Sequence, residues 1–385
     1  MKRRICFVIN SRANYARIKS VIVESLKIND LEVQIVVGAS AVLYNYGKVS
    51  NFMEADGLQI SSELFNAVEG NQPISMAKTT GLAILDLAQE FHRTKPDLVV
   101  TVADRFETIA TAIAASYMNI AVAHTQGGEI TGSIDENVRH AITKLSHFHF
   151  PATQKAEQIL MQLGEEPFRI HRVGCPSLDI AQNYTDIDIN KVLDRYQGVG
   201  MAFDPSMPYV LVSQHPDTIK FLDARNQLNQ TLQAVIELNM QVVWLWPNID
   251  AGSDSISKLL REFREKNKSS KIHFYRNFSA EDYISVLKNS LCIVGNSSSG
   301  IREASFLGVP SVNIGERQLG RERTPNVIDV NYDKEEIKKA IIFQANNGNY
   351  EKDFTYGDGK SGPRMAHIIS QIDTSRLNKK FHLSV

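Results

Sequence analysis

The stretch VGNSSSGIREASFLGVPSVNIG, residues 294–315, decides how the chain folds. An apolar run ends at Gly295, three serines and Gly300 follow, and an apolar helical segment leads through Gly308 and Pro310 into a second run, SVNI. Strand, turn, helix and strand in that order make a unit of a parallel sheet. The turn after the first strand exposes amides and hydroxyls, so Ser297, Ser298, Ser299 and Gly300 form a candidate diphosphate seat. Glu303, one helical turn further, would repel phosphate but can accept two hydrogen bonds from ribose hydroxyls. A helix cap alone does not need three serines.

The same alternation of short β-branched runs and helical periods continues in both directions. Upstream, YVLVSQH, QVVWLWP, KIHFY, LCIVGN and PSVNI read as one set of strands, separated by helical segments such as 218–238 and 279–289. Nearer the N-terminus ICFVI, LEVQIVV, DLVVTVA and IAVAH form another set, with Ile18, Val21, Ile22 and Leu26, and Ile84, Leu85, Ala88 and Phe91, at helical spacing. The expected fold is α/β: two Rossmann-like, doubly wound parallel-sheet domains facing a cleft. The first spans residues 1–180 and the second 205–362. Residues 181–204 lie in a glycine- and proline-marked linker region, and a helix at 363–380 packs back on the first domain. Ligands of such sheets bind beyond the carboxyl ends of the strands.

Length and composition agree with this division. A chain of 385 residues exceeds one ordinary core, and 43% apolar with 22% charged residues is the balance of a globular protein. A formal net charge of −1 gives no general basic field for nucleic acid or an anionic membrane, so any anion must be recognised locally. Cys6, Cys175 and Cys292 lie near apolar strands and far from metal-ligand spacing, which points to buried, reduced thiols. The opening MKRRICFVIN has too short an apolar run for a signal or a membrane span, and a cytoplasmic location is expected.

The loops after strands hold the remaining candidates. Arg12, in SRANY, sits where a fork of donors can meet a phosphate. Asp104, in ADRFE, is placed to cap the next helix and also to project into the cleft. After IAVAH come Gln126, Gly127, Gly128 and Glu129, then SIDE, a capping box of Ser133 and Glu136. Asp135 and Arg139, four apart, can pair on that helix. His147 and His149 alternate in HFHF, but no third ligand follows, so no metal and no cofactor are expected. His215, past the first strand of the second half, can bond a diphosphate or act as a general acid. YGDGKSG matches G-x-G-x-x-G at Gly357, Gly359 and Gly362, yet no strand precedes it and it is no dinucleotide fingerprint.

With these residues placed, the chain resembles the UDP-N-acetylglucosamine 2-epimerases, and within them the hydrolysing branch. SRANY, ADRFE, GGEITGSIDENVRHAITKLSHFHF, GCPSLD, QHPDT and GNSSSGIREASFLGVPSVNIGERQLGRE carry the resemblance over nearly the whole chain. It implies the two-domain fold of GT-B glycosyltransferases, often in homodimers, with a UDP-sugar and UDP as ligands. Ser298, Ser299, Gly300, Glu303, Arg321, Arg12 and His215 would then hold UDP, while Phe278 or Tyr283, within 277–284, would face uracil. Asp104 and Asp135 match the family's catalytic carboxylates. Three places depart from the family: Gln126 where a glutamate is usual, Asn14 where aspartate is usual, and ASAVLYNYG in place of a histidine-containing loop. All three are expected on the sugar side. A carboxamide does not titrate, so the role of Gln126 must pass elsewhere or change, and Glu129 is the nearest candidate to take it.

The resemblance implies release of N-acetylmannosamine and UDP from UDP-N-acetylglucosamine through a 2-acetamidoglucal, for sialic-acid-type sugars. The alternatives are the same reaction on a UDP-linked 2,4-diacetamido-2,4,6-trideoxyhexose, a GT-B glycosyltransferase, or a nucleotide-sugar sensor.

Overall fold

The computed structural model describes all residues except 1, 45–46, 71, 185–186, 197, 202, 205, 248–249, 268–269 and 384–385. Two of these fall in the ASAVLYNYG loop, so that part of the departing loop lies outside the described residues.

The first sheet contains β1 (Arg3–Ile9), β2 (Leu31–Val37), β3 (Ser62–Glu63), β4 (Leu98–Val102), β5 (Ala121–Thr125) and β6 (Phe148–Phe150). They lie in the order β3-β2-β1-β4-β5-β6, all parallel. The second contains β7 (Val199–Gly200), β8 (Tyr209–Ser213), β9 (Gln241–Leu245), β10 (Ile272–Tyr275), β11 (Ile293–Gly295), β12 (Ser311–Ile314) and β13 (Val327–Val330). Its order is β13-β12-β11-β8-β9-β10-β7, with only β7 antiparallel. Apart from that edge strand the two windings are the same. Helices cover both faces, so β4, β5 and β8 are buried from end to end. Each apolar side chain buried in this way contributes about 1.5–3 kcal/mol over an exposed one.

The winding fixes where chemistry can sit. In each sheet the order reverses beside the first strand, between β1 and β4 and between β8 and β11, and the loops beyond those strand ends frame a crevice. Gly295 shows how tightly this is built. Its φ is +131°, and a Cβ there would lie 2.2 Å from the Ser213 carbonyl oxygen at the end of β8, so only glycine fits.

Several expectations need correction. Part of the stretch expected as linker is helical: Ile189–Tyr196 sends Val192 and Leu193 into the second half's core, and the helix Ser177–Gln182 that leads into the stretch places Leu178 and Ala181 there too. The helix expected at 218–238 is Ala224–Glu237, because Phe221–Asp223 is a tighter 3₁₀ turn. Pro73–Thr94 buries Ala83, Leu87 and Phe91, leaving Leu85 68% exposed. The C-terminal helix is Ser361–Gln371, shorter than expected, and it sends Met365 and Ile369 into the first half's core.

The glycine motif YGDGKSG leads into that helix. The Asp179 carboxylate accepts from the amides of Ser361 at 2.8 Å and Gly362 at 2.5 Å, capping the helix from a distance. Asp179→Ala is therefore expected to lower stability by about 0.5–2 kcal/mol, the usual worth of such a cap, measurable by urea unfolding. Cys6, Cys175 and Cys292 are buried and free, and no helix among the described residues is long and apolar enough to cross a membrane.

Candidate active site

A cavity of about 770 Å³ opens between the two halves. It brings together Arg12, His215, Phe278, Tyr283, Ser297, Ser298, Ser299 and Glu303 from the sequence-derived set. The loop after β1, the loop after β8 and the turn after β11 supply its polar wall. Ser297 is the cap of the serine turn, its hydroxyl accepting from the Ser299 amide at 3.3 Å. The other two serines are used differently. Ser298 Oγ accepts from Arg17 Nη2 at 2.8 Å, and Ser299 Oγ accepts from the Tyr283 hydroxyl at 2.7 Å. Glu303 lines the cavity, and its Oε2 is buried with no hydrogen-bond partner among the described residues. Gly300 supports the turn from behind, where a Cβ would lie 2.5 Å from Ser311 Oγ.

The seat is cationic. Burial lowers Arg12 to about 10, which still leaves it charged at neutral pH. The His215 imidazole is held well below its ordinary value, first by burial and then by Arg317, Arg12 and Arg105. It is neutral near pH 7, which suits the first of the two expected roles, a hydrogen-bonding group in the cavity wall. At the far end Phe278 packs edge-on against Tyr196, with ring centroids 4.8 Å apart, forming an aromatic wall with Tyr283 nearby.

The carboxylates lie beyond Arg17. Asp104 does not cap the helix Thr108–Tyr117; it accepts from Arg139 Nε at 3.2 Å and Nη2 at 2.5 Å. Burial would raise its pKa, but Arg139, Arg17 and Arg321 outweigh burial and hold it well below the carboxylate range. Asp135 is not the helix partner of Arg139, which is fully buried and taken by Asp104 and Glu136. Burial first, then the charges of Asp104 and Asp250, push Asp135 up to about 6. Ser133 and Glu136 do not close a capping box either, since Glu136 Oε2 accepts from the Thr131 amide at 2.7 Å.

Gln126 and Glu129 lie off the cavity lining. Glu129 Oε2 forms ion pairs with both Arg302 and Arg321, two guanidiniums buried in the other half. Arg302, Arg321 and Arg139 depress its pKa against the opposing effect of burial, so Glu129 is a fixed anion at neutral pH. As the candidate to take over proton transfer from Gln126, Glu129 would therefore have no proton to give near pH 7, and both of its guanidinium partners come from the other half. Arg321 is likewise turned to Glu129 rather than to the cavity, because a buried guanidinium needs a carboxylate. Gln126, at φ +61°, accepts from Arg302 Nη1 at 3.1 Å and donates to Cys175 Sγ at 3.1 Å. Asn14 is fully buried at the strand ends: its Nδ2 donates to the Val102 carbonyl at 3.1 Å and its Oδ1 accepts from the Asn10 amide at 3.2 Å. An aspartate there could not donate to Val102. His147 Nδ1 accepts from the Val122 amide, and His149 pairs with Glu165 at 2.9 Å.

Two groups escaped sequence reasoning. Arg17 ends the turn that begins with Arg12, and a second basic residue in that loop was the available signal. Tyr196 lay inside the supposed linker.

Two parallel-sheet α/β domains with the same winding and a cavity at their switch points define a GT-B-like protein. The family model for UDP-N-acetylglucosamine 2-epimerases matches residues 24–370, and the chain belongs to that family. It is 34% identical over 372 residues, 97% of each chain, to a Legionella pneumophila UDP-N,N'-diacetylbacillosamine 2-epimerase (hydrolyzing). It is 29% identical to a Neisseria meningitidis UDP-N-acetylglucosamine 2-epimerase, over 97% of this chain and 96% of that one. The crystal structure of the Methanocaldococcus jannaschii UDP-GlcNAc 2-epimerase in complex with UDP-GlcNAc and UDP shares the fold, with a TM-score of 0.79, 20% identity and coverage of 95% and 99%.

Proposed function

We propose that this chain binds a UDP-linked 2-acetamido sugar and hydrolyses it with inversion at C2, releasing UDP and the free 2-epimer. The observation that carries this reading is the pair Asp104 and Asp135: two carboxylates from neighbouring loops, beside a cationic seat, one held ionised and the other pushed up to about 6. The diphosphate lies against Ser298, Ser299, Arg12, Arg17 and His215, the ribose on Glu303 and the base beside Phe278 and Tyr196. Asp135, the stronger base of the two, takes the C2 proton while the C1–O bond to UDP breaks. Asp104 is a fixed negative charge beside the carbon that becomes electron-poor, and the cationic seat stabilises the leaving diphosphate. The product of elimination is a 2-acetamidoglucal, and water then adds hydroxyl at C1 and a proton at C2 on the opposite face.

The sugar in this reading is N-acetylglucosamine, giving N-acetylmannosamine. A second reading, a 2,4-diacetamido-2,4,6-trideoxyhexose, is favoured by the 34% identity to the Legionella relative. Incubation with each UDP-sugar and no acceptor tests the activity: free UDP supports it, whereas UDP released only when an acceptor is added points to a transferase. The nucleotide assignment has its own test. Arg17→Ala is expected to weaken UDP binding by about 1.5–3 kcal/mol, roughly ten- to a hundredfold, because it removes a donor to a charged group. Unchanged affinity by calorimetry would remove Arg17 from the seat.

A further inference from the structure

Arg302 is 1% exposed and takes no part in the cavity lining, yet its position is dictated by the cavity. Its amide donates to the Ser298 carbonyl at 3.0 Å, so a shift of the serine turn carries Arg302 with it. Its side chain leaves the second half and enters the first. Nη1 donates to Gln126 Oε1 and Nη2 to Glu129 Oε2, both on the loop after β5. The Glu129 carbonyl in turn accepts from Arg139 Nη1 at 2.6 Å, and Arg139 holds Asp104. An unbroken series of hydrogen bonds therefore runs from Ser298 through Arg302, Glu129 and Arg139 to Asp104.

We propose that Arg302 is a positioning residue that keeps the nucleotide seat in register with the sugar-side carboxylates, with Gln126 as its neutral partner. Gln126 has no proton to move: its oxygen is used by Arg302 and its nitrogen by Cys175. A glutamate there would offer Arg302 a second carboxylate and draw it from Glu129, which it already shares with Arg321. This deepens the hydrolytic reading and rests on it, since elimination across C1 and C2 needs leaving group and base placed together, and a misplacement of about 1 Å can cost a hundredfold.

The test compares wild type with Arg302→Gln, Arg302→Lys and the double variant Arg302→Gln/Glu129→Gln. UDP affinity, melting temperature, kcat and KM are measured, together with hydrogen exchange of residues 126–139 with and without saturating UDP. Arg302→Gln is expected to keep the UDP Kd within about threefold while kcat falls about a hundredfold. UDP should slow exchange of 126–139 in the wild type and not in the variant. In Arg302→Gln the Glu129 carboxylate keeps Arg321 as its partner, whereas the double variant leaves Arg321 without a carboxylate, so its melting temperature should fall further and its kcat should not recover. Arg302→Lys keeps the charge and the fold, but a single ammonium cannot span both partners, so kcat should still fall. A kcat in the double variant above that of Arg302→Gln, loss of UDP affinity in proportion to kcat, wild-type kcat in Arg302→Lys, or equal UDP protection in wild type and variant would each overturn the proposal. A wild type that binds UDP but hydrolyses neither UDP-sugar fails the functional reading instead, and the exchange comparison still decides the role of Arg302.

Discussion

Glu129→Ala is expected to destabilise the protein by about 3–5 kcal/mol, the cost of leaving buried charge without its partner. Glu129 is 5% exposed and holds two guanidiniums, Arg302 at 1% and Arg321 at 6%, that reach it from the other half. Urea unfolding read by circular dichroism measures the loss. A change below about 1 kcal/mol would mean that the arginines find other partners and that the triad does not join the halves. The sign with pH follows from the depressed carboxyl of Glu129. Its contribution is complete above the unfolded carboxylate value and is lost as pH falls through the lower folded one, so acid should remove in the wild type what the substitution removes at neutral pH.

Asp104→Asn and Asp135→Asn are each expected to lower turnover by about 10²–10⁴, with UDP affinity kept within a few fold. Neither residue lines the cavity proposed to take the nucleotide, so binding and chemistry should separate. The two differ in their pH behaviour. Asp135 must be ionised to accept the C2 proton, so kcat/KM of the wild type should fall as pH drops through about 6. Asp104 remains ionised throughout that range, held by Arg139 and Arg17 against burial. Wild-type turnover in Asp135→Asn, or a flat profile between about pH 5 and 7, would assign proton transfer to another group. Stability runs the other way for Asp135. Its raised carboxyl protonates more readily folded than unfolded, so its contribution becomes more favourable as pH falls from above 6 toward the unfolded value.

What could be read from residues alone follows from which interactions are local. ICFVI, DLVVTVA and YVLVSQH are legible as strands because parallel strands covered on both faces are continuous apolar runs. The serine turn is legible because strand, glycine and hydroxyls stand together in the chain. Ile189, Val192, Leu193 and Tyr196 also carry helical spacing, but glycines and prolines around them suggested a linker. The electrostatics were not legible. Spacing offers Arg139 to Asp135, yet Asp104 arrives from the neighbouring strand and takes it. Glu129 reads as a free carboxylate beside the site until Arg302 and Arg321, 173 and 192 residues away in the chain, close on it. Burial decides these partners, and burial is a property of the assembled halves.

The claim that the chain is a hydrolytic 2-epimerase is tested most directly by proton NMR of the products formed in deuterated water from UDP-N-acetylglucosamine and from the UDP-linked 2,4-diacetamido sugar. The account predicts free UDP and a free reducing sugar with inverted configuration and deuterium at C2, from at least one of the two substrates. A product inverted at C2 but still linked to UDP, or a free sugar that keeps its C2 proton and configuration, would contradict it.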